Sequence, residues 1–194
     1  MARTQAVDYD EKRQSITQKA AQLFSDKGFA ATSIADLARL CEVSKSLIYH
    51  YYSSKEAILH DVMNEHVDDL LAVLDDSISS DVAPAENLQH LTRELLRHYV
   101  GAASYQKVLL YELGSLPPDQ QKEIIRKQRI LVSAVEELLH KIDGNEKNST
   151  QELRVKVMLF FGMLNWTDNW LNSRGPISRD NIADMVTSTT ISAL

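Results

Sequence analysis

No stretch of this chain alternates apolar and polar residues over the ~4 to 8 positions that a half-buried strand requires. With only 6 Gly and 4 Pro in 194 residues, little breaks a helical reading either. The expected fold is all-α, about nine helices separated by short capped breaks. From Tyr9 to Lys27 the residues Ile16, Ala20, Leu23 and Phe24 recur at helical spacing, and the run stops at Gly28, which suits the left-handed turn that ends helices. Thr32 or Ser33 caps a short helix through Leu40, with Asp36 three residues after Ser33 as a capping-box variant. Cys41, Glu42 and Val43 make a turn, Ser44 caps a third helix to about Tyr51, and Ser53 or Ser54 caps a fourth that begins Lys55-Glu56-Ala57.

The later breaks follow the same logic. Pro84 opens a helix at a position where its missing donor is not needed. Gly101 to Ser104 is a soft junction, and Leu116-Pro117-Pro118-Asp119 opens a long helix to about Ile142 that Asp143-Gly144-Asn145 closes. The last two helices are expected from about Thr150 to Asn172 and from Ser178 to Ala193, divided by Arg174-Gly175-Pro176.

Three helices within the first ~50 residues, the second and third short and joined by a tight turn, meet the requirement of a helix-turn-helix. The third would enter the major groove of DNA while the second braces it. The net charge of −6 weighs against nucleic acid until its distribution is considered. Residues 1–60 carry eight Lys/Arg against seven Asp/Glu, whereas residues 61–194 carry thirteen against twenty. A weakly basic head on an acidic body suits a protein whose head alone touches DNA. On the third helix, Ser44 and Ser46 offer short hydroxyls, Lys45 a point charge, and Tyr49, His50 and Tyr51 donors to phosphate. Thr32 or Ser33 and Ser44 are caps first, and the start of the fourth helix offers free backbone donors and Lys55 to a phosphate. Tyr51 and Tyr52 divide between core and phosphate, whereas Phe24, Phe29, Ile34, Leu37 and Ile48 are core.

A family resemblance then emerges. Ile16, Ala20-Ala21, Leu23-Phe24, Lys27-Gly28-Phe29, Thr32-Ser33-Ile34, Leu37-Ala38, Val43-Ser44-Lys45, Ile48-Tyr49-His50-Tyr51-Tyr52 and Ser54-Lys55-Glu56 fall in one order at one spacing over about residues 13–60. The pattern resembles the DNA-binding domain of TetR-type regulators. Tyr52 stands where that family usually has Phe, and Ser46-Leu47 where many relatives have Gly and a short polar residue. The resemblance implies a helix-turn-helix domain over 1–54 and a ligand-binding and dimerisation domain over 55–194. It also implies DNA contacts from the cap hydroxyls of Thr32, Ser33 and Ser44, and a homodimer on a palindromic double-stranded operator, repressing transcription until a small-molecule effector releases it.

The body independently shows two apolar faces, Val157, Phe160, Phe161, Leu164 and Leu171 on one helix and Ile182, Met185, Val186 and Ile191 on the next. Around Phe160 to Leu171, Arg174 to Ser178, Ile182 to Asp184, Glu112-Leu113 and Leu116 to Pro118 the chain is similar to TetR regulators that sense CoA thioesters of catabolic pathways. The ligand residues then expected are Tyr111, Arg126, Arg129, Phe160, Asn165, Trp166 and Trp170. Trp166 and Trp170, one turn apart, either line an apolar slot beside Asn165, Asp168 and Asn169 or pack the dimer bundle. Arg126, Arg129, Arg93 and Arg97 either meet an anionic ligand or lie on solvated faces. Two other readings keep the DNA head: an efflux regulator that senses hydrophobic drugs, and a factor whose body holds another protein.

Catalysis, cofactors and metals are not expected. His66 with Asp69 and His98 with Glu94 are ordinary helical neighbours, unaccompanied by a nucleophile elbow or a phosphate loop. The single Cys41 excludes a disulfide framework, and no two His share zinc-site spacing. No run approaches the ~20 apolar residues of a membrane span, and MARTQAVDYDEKRQ lacks the apolar middle of a signal peptide, so the expected location is cytoplasmic, away from the membrane.

Overall fold

The structure, a computed structural model, describes residues 2–144, 149–171 and 175–194. Among these residues the chain forms nine α-helices and no strand, and no helix is long and apolar enough to cross a membrane. They are α1 (Ala2–Lys27), α2 (Ile34–Leu40), α3 (Lys45–Tyr51), α4 (Lys55–Ser77), α5 (Pro84–Gly101), α6 (Ala103–Glu112), α7 (Pro118–Asp143), α8 (Thr150–Trp166) and α9 (Arg179–Ser192). Two compact units result. One contains the chain as far as Val67 together with Ala102–Ile125, and the other Asp68–Gly101 with Arg126–Leu194.

The first unit is built on local signals. Gly28, at φ +83°, turns the chain out of α1 while its N–H donates to the carbonyl of Phe24. Ser33 closes a full capping box with Asp36 and starts α2, so of the two expected caps it is Ser33 that acts. Ser44 Oγ accepts the Leu47 N–H at 3.1 Å to start α3, and Ser54 Oγ accepts the Ala57 N–H at 3.1 Å to start α4. Between α2 and α3, Glu42 holds φ +58°, a left-handed conformation that costs a residue with a Cβ about 1 kcal/mol. Ile16, Ala20 and Phe24 of α1 are buried with Leu37, Ile48, Ile58, Leu59 and Val62 of the three helices that follow.

This compact unit also takes in α6 and the first half of α4. α6 packs along α1, and its buried Gln106 meets the buried His66 of α4 at 2.6 Å. At the end of α6, Glu112 accepts the Phe29 N–H at 3.0 Å. α1, α2 and α3 alone would leave apolar surface in water, and α4 and α6 supply the missing wall with buried Ile58, Leu59, Val62, Val108 and Leu109.

In the second unit α9 packs on α5. Leu88, Leu91 and Leu95 of α5 and Ile182, Ala183 and Val186 of α9 are buried, with the Thr187 and Thr92 hydroxyls bonded at 3.1 Å among them. Outside this core Arg93 and Gln89 both donate to Asp184, at 2.7 and 2.9 Å, and Arg97 pairs with Asp180. α8 packs against α9, and Leu153, Val157, Phe160 and Leu164 of α8 are buried. α8 stops at Trp166, short of the expected Asn172, and continues as a single 3-10 turn over Thr167–Asn169. There Thr167 bonds back to the carbonyl of Met163 and its own carbonyl accepts the N–H groups of Trp170 and Leu171. The expected breaks at Asn145, Asn172 and Arg174 lie outside the described residues.

Candidate nucleic-acid interface and apolar groove

α3 sorts its residues by face. Ile48 is buried in the core, while Lys45, Ser46, Tyr49 and His50 stand in solvent on the other side, Tyr49 with 55% of its surface exposed. These four side chains form the contiguous polar surface that a recognition helix has to present. Ser33 and Ser44 are also exposed at the starts of α2 and α3, with their hydroxyls engaged in the caps. Tyr51 is half-buried against the ring of Tyr9, centroids 4.6 Å apart.

Two expected phosphate contacts turn inward. Thr32 is buried, and its hydroxyl donates to the carbonyl of Gly28 at 2.9 Å. The Lys55 ammonium donates to the carbonyls of Phe29 and Thr32, at 2.7 and 2.8 Å, and lies 4.1 Å from the Phe29 ring centroid. Lys55 therefore caps the turn into α2. Tyr52, which divided between core and phosphate, is core: its buried phenol donates to Asp61, which Arg13 also grips through two hydrogen bonds of 2.8 and 2.9 Å. Burial, ahead of the bond to Asp61, holds this phenol far above its ordinary pKa, so it remains a donor.

In the second unit the surfaces of α8 and α9 form an open apolar groove lined by Met158, Leu159, Trp166, Trp170, Met185 and Val186. Leu159, Trp166, Trp170 and Met185 are 62, 60, 54 and 59% exposed in the single chain. The tryptophans share one surface although α8 ends between them, and that surface is open rather than an enclosed slot. Phe160 faces the opposite way, fully buried with its ring 5.2 Å from that of Phe161. Asn165 is half-buried, and Asn169 is exposed with its amide bonded to the Trp166 carbonyl. The side chain of Asp168 lies outside what is described. Arg126 and Arg129 are exposed on α7, and Tyr111 is exposed on α6 in the first unit.

Residues 16–62 match the family of bacterial regulatory proteins of the tetR type, and residues 81–194 match the tetracyclin repressor-like C-terminal domain. The chain belongs to the TetR family of transcriptional regulators. Such regulators bind DNA and are not enzymes. A TetR-family regulator from Bordetella parapertussis 12822 has the same fold at a TM-score of 0.86, with 36% identity over 92% of this chain and 93% of that one. AibR, solved in complex with isovaleryl coenzyme A and operator DNA, superposes at a TM-score of 0.79 with 24% identity, over 92% of this chain and 97% of AibR. The regulator YuxN of Bacillus subtilis is 32% identical over 58% of this chain, and the match spans only 38% of YuxN.

Three further features of the first unit are not marked by helical spacing. Tyr9 packs on Tyr51 at the end of α3, Asp61 joins Arg13 to Tyr52, and Arg39, exposed near the end of α2, pairs with Asp36 at 3.3 Å. Only the substitution of Tyr52 for the usual Phe signalled any of them, since its hydroxyl needs a partner.

The inward turn of Lys55 makes a testable difference. Lys55→Ala strips two carbonyls of their donor and is expected to lower stability by about 2 kcal/mol in thermal or urea unfolding. A side chain that served phosphate alone would leave the unfolding midpoint in place and change only the salt dependence of DNA binding.

Proposed function

We propose that this chain is a homodimeric repressor that reads a palindromic duplex with α3 and leaves it when a small molecule, a CoA thioester, binds the body. The observation that carries the DNA half is the solvent-facing set Lys45, Ser46, Tyr49 and His50, on a helix whose opposite side is anchored by Ile48. Phosphate contacts from Lys45 and from the starts of α2 and α3 would fix the register, and Ser46, Tyr49 and His50 would meet base edges or phosphates beside them. The dimer half is supported by the groove on α8 and α9, because a contiguous exposed apolar surface of this kind marks an interaction site. A second copy of the same two helices would cover it isologously. Trp166 and Trp170 then belong to the interface rather than to the effector site.

The effector class is supported by the likeness of the C-terminal half to CoA-thioester-sensing regulators and by the shared fold of AibR with its isovaleryl coenzyme A. Arg126 and Arg129, exposed on α7, are the groups proposed to meet the nucleotide end of such a ligand. Release needs differential affinity, not tightness: a swing from 99:1 to 1:99 between DNA-competent and incompetent states takes about 5.5 kcal/mol. A buried acyl chain at ~25 cal/mol per Å² reaches that figure if much of its contact exists in one state only. Titrating short and long acyl-CoA, aryl-CoA and free acids into the protein bound to a labelled selected duplex tests this. Release by CoA thioesters alone is the expected result, and release by free acids or hydrophobic drugs with none by thioesters would remove the ligand class.

A further inference from the structure

We propose that Arg13, Asp61 and Tyr52 form a positioning network for the recognition helix, and that this network sets how sharply the protein discriminates between duplex sequences. The inference builds on the DNA-binding role of α3 and adds residues that touch no DNA.

Asp61 on α4 is the centre. Its carboxylate accepts from Arg13 Nε at 2.9 Å and Nη2 at 2.8 Å, a bidentate pair, and from the hydroxyl of Tyr52. Arg13 Nε also reaches the Tyr52 oxygen at 3.3 Å, and its guanidinium carbon lies 5.5 Å from the centre of that ring. Tyr52 is the C-terminal cap of α3, its N–H bonded to the carbonyl of Ile48. Four residues before Arg13 on the same face of α1, Tyr9 packs on Tyr51 and lies edge-on to His50, centroids 6.5 Å apart. Two residues one turn apart on α1 therefore hold two consecutive residues at the end of α3.

The physical need for such a hold follows from the length of α3. It has 7 residues, too few to form or keep a direction without its neighbours. Its start is set by the Ser44 cap and its middle by Ile48 in the core, which leaves rotation and tilt of its far end to the network. Base-edge hydrogen bonds tolerate only about 0.5 Å of misplacement, whereas a flexible lysine follows a phosphate over a wider range. Loosening the end of α3 should therefore reduce discrimination before it reduces total affinity.

The test compares two duplexes: a palindrome that the wild-type protein enriches from a random pool, and a scramble of the same length and composition. Tyr52→Phe keeps the buried ring and removes only the hydroxyl, and Asp61→Asn keeps the shape and removes the charge. The expected result is a loss of about tenfold in the ratio of the two affinities for each variant, with scramble binding unchanged and the double variant no worse than Asp61→Asn alone. An unchanged ratio in both variants, or a parallel loss on both duplexes, would overturn the proposal and leave the DNA-binding role standing. A wild-type protein that enriches no duplex would remove that role, and the proposal with it.

Discussion

Leu159→Asp is expected to convert the protein from a dimer to a monomer without unfolding it, and to cost about 10²- to 10⁴-fold in operator affinity. Leu159 is 62% exposed in the single chain, so a carboxylate at this position remains hydrated when the chain is alone. In the proposed dimer the same position is covered, and an unpaired charge there is strongly destabilising. Met185→Asp, from the facing helix of the groove, should do the same, since its side chain is 59% exposed. Light scattering should give twice 21.9 kDa for the wild type and 21.9 kDa for either variant, with helical circular dichroism preserved.

The loss of DNA affinity follows without any change in the heads. Two recognition helices joined in one dimer reach half-sites about one DNA turn apart, so the second docks at the high effective concentration that the linkage provides. A monomer forfeits that gain. Variants that remain dimeric and bind normally would show that α8 and α9 use their groove for something else, and the tryptophans would return to the ligand question.

What the sequence disclosed follows the range of the forces involved. Gly28, Ser33 with Asp36, Ser44, Ser54, Pro84 and Pro118 act on the backbone within a few residues of themselves, and each marks a helix boundary in the structure. The solvent face of α3 was legible for the same reason, because Ile48 fixes which side of a short helix is buried. Where a polar side chain turns was not. Lys55 finds its carbonyls 26 and 23 residues away, Arg13 finds Asp61 48 residues away and Glu112 finds Phe29 83 residues away, and no periodicity encodes those meetings. The attachment of α6 to the head unit rests on the same kind of long-range pairing, as do the buried His66 and Gln106. The open position of Trp166 and Trp170 was legible only as an alternative. Two large aromatic residues on one open surface require cover, and spacing does not say whether a ligand or another chain provides it.

The acidic net charge makes salt dependence the second large effect. Of the expected contacts, Lys45, Tyr49, His50 and the helix starts at Ser33 and Ser44 are all exposed. If two heads together engage about six phosphates, affinity should fall about 10³-fold between 50 and 200 mM salt, because each neutralised phosphate releases condensed counterions. The acidic body cannot produce this slope, since a surface of like sign repels the duplex at low salt. Lys45→Ala in both chains removes two of those contacts and should flatten the slope by about two units of log affinity per log salt.

The most direct measurement is selection of duplexes by the full-length protein from a random pool, followed by titration of the enriched duplex from 50 to 200 mM salt. Enrichment of a palindromic site whose affinity falls about 10³-fold across that range is the predicted result. A pool left without enrichment, or binding that ignores salt and sequence alike, would contradict the account.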